Sequence, residues 1–177
     1  IACGDASASA GALEGTRISH YHGIDFSAAA LDIASKTLKV LDCPVTLEKR
    51  DFLEAIVDWK QVVDVAWIGL SLHHLLTPEK LAFMRNVRKI LALGGMFLIY
   101  ENTSPDGEDR AQWLQRWDLQ KPFWTAYSEE EWVAMAAHVH AADFPETDAG
   151  WHRLGREAGF ASIEEVFATP TDLFRMY

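Results

Sequence analysis

The sequence predicts an α/β domain with a mostly parallel sheet, helices on both faces and an antiparallel last strand. Strand-like and helix-like segments alternate up to residue 101, which favours a parallel sheet covered by helices. The segment VVDVAWIGLSL is almost continuously apolar, as in a strand buried on both faces. Two short strand patterns end the chain too close together for a crossover, so the final strand is expected to be antiparallel.

The first part of the chain is predicted to form a turn of small residues, then two strands with a helix between them. The opening IACGDASASAGAL is a turn of small residues where a buried strand normally leads into a helix, so we expect a truncated first strand. YHGID is a strand that ends on an acid, and Ser27 is the expected N-cap of a helix. That helix buries its apolar positions at helical spacing and stops at Pro44. VTLEKRD then forms the next strand.

The later elements complete a single domain of residues 1–177. Pro78 opens a helix that we expect Gly94 and Gly95 to end, as glycine C-caps do, and MFLIYE is the next strand. Residues 105–142 are helical by pattern and form an insertion without an obvious strand. A last helix over DAGWHRLGREAGF leads to the strands IEEVFA and LFRMY.

Composition excludes two classes of partner. The 177 residues include 16 basic and 26 acidic side chains, a net charge of -10, so nucleic acid is not an expected partner. A membrane is not expected either, because no apolar run is long enough to span one. Cys3 and Cys43 form no disulfide or metal motif, and we expect a cytoplasmic protein. The sequence leaves the oligomeric state open.

The opening turn and two acids point to a nucleoside ligand. Ligands of such sheets bind at the carboxyl ends of the strands, and Gly4 lets the backbone approach closely. Asp25, 21 residues later, suits both hydroxyls of an adenosine ribose. Asp51 suits the adenine amino group, and Phe52 the adenine ring. An ordinary tight turn and solvated acids are the alternative for each feature taken alone.

Six segments in order resemble the class I S-adenosylmethionine-dependent methyltransferases of the small-molecule type, which have a Rossmann-like domain. ACGDA resembles their glycine-rich motif, HGIDFS the ribose motif and RDF the adenine motif. VDVAWIGLSLHHL resembles the motif of their fourth strand, RKILALGGMFLIYE the segment after it, and LGREAGFASIEEV the closing helix and strand. The resemblance covers the chain apart from residues 102–145.

The resemblance implies S-adenosylmethionine as cofactor and methyl transfer to a small-molecule acceptor. It also implies that the insertion at about 105–142 shapes the acceptor pocket. The cofactor-binding positions that it implies are Ala2, Cys3, Gly4, Asp25, Phe26, Asp51, Phe52, Ile68, Gly69 and Leu70. The chain departs from the family pattern at Ala2 and Ala6, which replace two glycines. Alanine fits there if the local φ is negative.

The acceptor side of the prediction rests on residues after the fourth and fifth predicted strands and in the insertion. His73 is the candidate general base, since histidine titrates near neutral pH. His74, Tyr100 and Trp124 are candidate substrate-binding residues, and an aromatic-rich insertion suits a hydrophobic or ring-bearing acceptor. The alternative is structural: the histidines cap the strand, and the insertion's rings pack on the sheet.

Parts of the sequence also suit two other functions. The turn and Asp25 alone suit a nicotinamide-dependent oxidoreductase, and the alanines in the turn suit a degenerate, non-catalytic cofactor-binding protein. We expect no metal site, because His138 and His140, two apart on a helix, point to different faces. Asp143 and His152 do not change that expectation.

Overall fold

A computed structural model describes residues 1–177. The α-helices are α1 (Ser7–Leu13), α2 (Ala28–Thr37), α3 (Phe52–Asp58), α4 (Thr77–Ile90), α5 (Arg110–Asp118), α6 (Glu129–Ala142) and α7 (Asp148–Ala158). The strands are β1 (Tyr21–Asp25), β2 (Val45–Lys49), β3 (Val63–Gly69), β4 (Leu91–Ser104), β5 (Glu146–Thr147), β6 (Phe167–Ala168) and β7 (Phe174–Met176). Short 3-10 helices lie at Leu38–Val40, Leu72–His74 and Lys121–Phe123.

Strand pairing confirms the predicted α/β class. β1 pairs with β2 in parallel, and β5 pairs with β4 in parallel. β7 is antiparallel to both β4 and β6, so the last strand runs as the sequence predicts. In the C-terminal part of the chain, β4, β7 and β6 lie in that order in one sheet.

The chain divides into two compact units. The first comprises residues 1–69 and 90–97, and the second comprises residues 70–89 and 98–177. β4 contributes residues to both units. That residues 1–177 form a single domain therefore stays a prediction.

Small and aliphatic side chains form the core of the first unit. Ala6 and Ala10 pack with Ala34, Leu38 and Leu41. The predicted N-cap is confirmed, because the Ser27 hydroxyl accepts a hydrogen bond from the amide of Ala30. Residues 1–3 form no strand, but they are tied to two strands of this unit: Ile1 N donates to Trp67 O (2.7 Å) and Cys3 N to Ile24 O (2.9 Å).

Tryptophans dominate the core of the second unit. Its cluster comprises Trp113, Leu114, Trp117, Trp132, Val139 and Leu173. Met135 and Ala136 of α6 also pack against this cluster. Residues 105–142 contain helices and no strand, as expected.

One predicted helix end is wrong. α4 ends at Ile90, and Gly94 and Gly95 lie within β4 instead of capping the helix. Gly94 has a φ of +78°, so the glycine adopts the left-handed backbone expected of a C-cap, but inside a strand. None of the helices combines the length and the apolar character needed to cross a bilayer.

Candidate functional site

The opening turn has a left-handed backbone at every second residue. The φ angles are 47° at Ala2, 54° at Gly4 and 59° at Ala6. A negative φ, the condition under which alanine fits there without strain, is therefore not met at Ala2 or Ala6. The turn closes through a hydrogen bond from Ala6 N to Cys3 O (2.9 Å), and that path needs glycine-like backbone whichever side chain is present. Each alanine costs about 1–2 kcal/mol in this conformation.

Gly4 lies at the centre of this turn, with free space beside it. A Cβ atom added to Gly4 meets no atom within 4 Å. Gly4 N donates a hydrogen bond to Asp25 Oδ2 at 2.8 Å, so the turn is joined to the carboxyl end of β1. The sequence prediction that the turn and Asp25 lie together is confirmed by this contact.

Asp25 is a buried acceptor with remaining capacity. Its Oδ1 accepts the amide of Ser27 at 2.8 Å, and its Oδ2 accepts the amide of Gly4. Only 7% of the residue is exposed. A carboxylate has about four lone-pair positions, so each oxygen retains one for a further donor such as a ribose hydroxyl.

Asp51 lies at the same edge of the first unit as Asp25. β1 and β2 are parallel, with Asp25 opposite Lys49, and Arg50 N donates to Asp25 O at 3.0 Å. Asp51 follows directly and is the N-cap of α3. Its Oδ1 accepts the amides of Leu53 (2.8 Å) and Glu54 (3.2 Å), and Oδ2 takes part in neither bond.

The other predicted cofactor positions of the first unit differ in exposure. Phe26 is 74% exposed, Phe52 and Gly69 are half-buried, and Ile68 is fully buried. Cys3 is half-buried beside β1, and burial raises the pKa of its thiol.

Leu70 is the remaining predicted cofactor position, and it belongs to the second unit. Its φ is 51°, which is rare for a leucine, and its amide donates to Tyr100 O at 2.8 Å. Non-glycine residues in this conformation are concentrated at functional sites. No sequence signal pointed to this backbone geometry.

His73 is held by a buried glutamate in the second unit. Its Nδ1 lies 2.7 Å from Glu101 Oε2, and Glu101 is fully buried. Glu101 also accepts the amides of Ser71, Leu72 and His73. A carboxylate only accepts, so His73 carries its proton on Nδ1 and leaves the Nε2 lone pair free.

Asp143 lies next to His73 and His74. From the sequence, Asp143 was considered only together with His138 and His140. Asp143 Oδ1 lies 3.7 Å from His73 Nε2 and 3.5 Å from His74 Nδ1, and it has no hydrogen-bond partner. Asn102 Nδ2 donates to Asp143 Oδ2 at 2.7 Å. Burial raises the pKa of Asp143 and lowers that of His74. No local sequence signal links residue 143 to residue 73.

Tyr100 lies within β4 and does not end a strand as predicted. Its ring stacks on Phe174 at 5.9 Å, and burial raises the pKa of its hydroxyl. Glu101, also predicted at the strand end, is the buried anchor of the 3-10 helix at Leu72–His74. β4 continues three residues further, to Ser104.

Trp124 packs with other rings of the insertion. Its ring lies 5.8 Å from each of Trp117, Tyr127 and Trp132. Trp113, Trp117 and Trp132 are buried in the core of the unit, so for these three the structural alternative holds. Trp124 is half-buried, which leaves part of its ring available for contact.

Comparison with known proteins identifies the family. The family model described as a methyltransferase domain matches residues 1–97, more than half of the chain. The chain therefore belongs to the methyltransferase-domain family. No curated protein matches the chain.

Solved structures share the fold at low identity. They include a SAM-dependent methyltransferase of Leishmania major (16% identity, TM-score 0.67), covering 99% of this chain and 60% of that one. CalO1, a methyltransferase in calicheamicin biosynthesis with SAH bound, has 15% identity and a TM-score of 0.67 over 99% and 46% of the two chains. The mitomycin 7-O-methyltransferase MmcR has 14% identity and a TM-score of 0.68 over 99% and 46%. The chain thus spans about half to three-fifths of their lengths.

Proposed function

We propose that this protein transfers a methyl group from S-adenosylmethionine to a small-molecule acceptor. One observation carries the proposal. A bend with glycine-like φ at Ala2, Gly4 and Ala6 is hydrogen-bonded to the buried carboxylate of Asp25. The bend retains the backbone that close approach to a cofactor requires, at an energetic cost where alanine replaces glycine.

The residues of the first unit fit an adenosine. Asp25 has an unused lone pair on each oxygen for the two ribose hydroxyls. Asp51 Oδ2 suits the adenine amino group, and the exposed ring of Phe26 and the ring of Phe52 offer apolar surface. The open side of Gly4 suits the part of the cofactor that passes closest to the backbone. Ala2, Cys3, Ile68, Gly69 and Leu70 complete the proposed cofactor contacts.

When bound, the cofactor supplies an electrophilic methyl group on a sulfonium, and the protein's residues bind and align the reactants. If the methyl group goes to a hydroxyl group of the substrate, His73 is the proposed base that takes the hydroxyl proton. Its Nδ1 proton is directed at Glu101, so Nε2 is the atom that takes the proton. Glu101 acts as a positioning residue, because it fixes the tautomer and the ring orientation of His73.

The proposed acceptor is a small organic molecule. One of the similar structures is a mitomycin 7-O-methyltransferase, and we propose an acceptor of that general kind for this chain. His74, Tyr100 and Trp124 are the proposed acceptor contacts, and the exposed part of Trp124 favours a ring-bearing molecule. We further propose a cytoplasmic location, in keeping with the free thiols of Cys3 and Cys43.

Thermal unfolding with three ligands tests the proposal. S-adenosylhomocysteine, NAD and NADP are each added to the protein at saturating concentration. A ligand at 100 times its Kd adds about 2.7 kcal/mol of stability, which is a rise of roughly 5–10 °C in Tm for a chain of this size. We expect the rise with S-adenosylhomocysteine alone. A rise with NAD or NADP instead contradicts the proposal and favours an oxidoreductase, and no rise with any ligand favours a degenerate fold.

A further inference from the structure

Three side chains of the second unit bring candidate ligand atoms together. Asp143 Oδ1 lies 3.7 Å from His73 Nε2 and 3.5 Å from His74 Nδ1. One candidate ligand atom from each of the three residues lies within 4.8 Å of the other two. The three residues are called the His-His-Asp cluster below.

Hydrogen bonds to neighbouring side chains orient two of the three residues, His73 and Asp143. Glu101 holds Nδ1 of His73, so Nε2 is directed into the cluster. Asn102 holds Oδ2 of Asp143, and Oδ1 is buried in the cluster without a hydrogen-bond partner. Metal-binding histidines usually donate their other ring N–H to a carboxylate or carbonyl in this way.

The backbone around Asp143 is also fixed. Arg110 Nε donates to Asp143 O at 2.6 Å, and the amide of Phe144 donates to His73 O at 2.7 Å. The buried Lys80 ammonium donates to Phe144 O and lies 3.1 Å from Glu146 Oε1. These contacts position Asp143 Oδ1 independently of any ligand, which lowers the entropic cost of binding one.

The atoms that face one another in the His-His-Asp cluster are suited to bind a cation. Nε2 of His73 and an ionised Asp143 Oδ1 are both acceptors, so nothing attractive acts between them until a proton or a metal ion enters. Two nitrogens and one oxygen suit zinc and similar transition metals, whereas magnesium and calcium prefer oxygen ligands.

The spacing of the cluster approaches that of a zinc site. With bonds of 2.0–2.2 Å, ligand atoms around a tetrahedral zinc lie about 3.3–3.5 Å apart. The two distances from Asp143 Oδ1, 3.5 and 3.7 Å, need to shorten by only a few tenths of an ångström, whereas the two histidine nitrogens, within 4.8 Å of each other, need to approach by up to about 1.5 Å. The His74 side chain is 40% exposed and provides a route from solvent. Its Nδ1 also lies 3.3 Å from Ala142 O, a contact that the metal ion replaces if Nδ1 is the ligand.

We propose that His73, His74 and Asp143 bind one zinc-type divalent ion, with the fourth coordination position open to water or another small ligand. This site goes beyond the proposed methyl transfer and does not depend on it. A metal ion on His73 Nε2 takes the lone pair that the proposed base needs. Zinc-loaded protein is therefore expected to transfer methyl groups to hydroxyl acceptors more slowly than metal-free protein.

Titration of chelator-treated protein with Zn²⁺ tests the site by calorimetry, without cofactor or acceptor. We expect one ion per chain, and with Co²⁺ we expect the d–d absorption of a four-coordinate ion. Asp143→Asn and His74→Gln each remove a ligand while keeping side-chain size, and each is expected to weaken binding by about tenfold or more. His152→Gln is the matched control, because His152 also lies near a carboxylate (Asp148, 3.8 Å) and should leave affinity unchanged.

Two results overturn the proposal. One is the absence of zinc binding to protein whose unfolding transition shows that it is folded. The other is unchanged affinity in the Asp143→Asn/His74→Gln double variant, which places the ion elsewhere. A parallel titration with S-adenosylhomocysteine tests the proposed function separately, because that ligand is assigned to residues of the first unit. Binding of S-adenosylhomocysteine without binding of zinc contradicts the metal site alone.

Discussion

Two buried carboxylates, one in each compact unit, accept different numbers of hydrogen bonds. Asp25 in the first unit accepts two backbone amides, from Gly4 and Ser27. Glu101 in the second unit accepts three amides and the Nδ1 proton of His73. About four lone-pair positions are available to each carboxylate, so Asp25 has room for a ligand and Glu101 has none.

This difference separates a binding residue from a positioning residue. Asp25 is suited to hold an external molecule, because its two partners leave each oxygen half-satisfied. Glu101 is suited to hold a part of the protein, since its donors fix the start of the 3-10 helix and the ring of His73. Substitutions at the two sites should therefore affect different measurements.

The largest effect is expected at Asp25. Asp25→Ala removes the two proposed charged hydrogen bonds to the ribose, each expected to contribute about 1.5–3 kcal/mol, so affinity for S-adenosylhomocysteine should fall about 100-fold or more. Calorimetry measures the Kd, and unfolding without ligand checks that the variant is folded. Asp32→Ala on α2 is the control, because Asp32 is an exposed acid. Equal affinity in both variants contradicts the role given to Asp25.

His73 should affect turnover and not cofactor binding. His73→Gln keeps a donor for Glu101 but has no basic nitrogen, and loss of a general base typically lowers the rate about 10²–10⁴-fold. The measurement is transfer from labelled S-adenosylmethionine to a panel of small hydroxylated aromatic compounds, with the Kd for S-adenosylhomocysteine beside it. A variant with undiminished turnover shows that His73 is structural.

Glu101 should affect stability as well as turnover. Glu101→Gln turns one acceptor oxygen into a donor group that faces the N–H of His73, which leaves buried donors unsatisfied at a cost of about 1–3 kcal/mol. It also favours the proton on His73 Nε2, the wrong tautomer for a base. Chemical unfolding and turnover are measured together. Stability and turnover that both equal those of the wild type contradict the role given to Glu101.

The alanines of the bend should give the smallest effects. Ala2→Gly removes the left-handed strain and is expected to stabilise the protein by about 1 kcal/mol. Ala6→Gly should be nearly neutral, because relief of strain is offset by about 0.8 kcal/mol for the loss of a buried methyl group.

Ala10→Gly is the matched control for the bend, since Ala10 is buried in α1 with an ordinary helical environment. It should destabilise by about 1 kcal/mol or more, because glycine is a poorer helix former. Thermal unfolding of the three variants measures the differences. Equal destabilisation at all three positions contradicts the strain assigned to Ala2 and Ala6.

The sequence predicted the edge that carries Asp25 and Asp51 because that edge is marked locally. Strand ends are visible as acids after apolar runs, and parallel strands bring such ends to one edge, as with Asp25 and Asp51. The sign of φ at Ala2 and Ala6 was not predictable from residue type, because alanine by itself avoids the left-handed region.

The cluster around His73 was less predictable. Its partners Glu101 and Asp143 are 28 and 70 residues away in sequence, and β5 pairs with only two residues of β4. A two-residue strand has no recognisable hydrophobic alternation. Tertiary contacts between residues far apart in sequence therefore place Asp143, and no local sequence pattern predicts them.

The structure of a complex with S-adenosylhomocysteine tests the central claim most directly. The account predicts that both carboxylate oxygens of Asp25 accept hydrogen bonds from the ribose hydroxyls, with the ligand next to the backbone of Gly4. A ligand bound away from Asp25 and Gly4, or an Asp25 carboxylate that contacts no ribose, contradicts it.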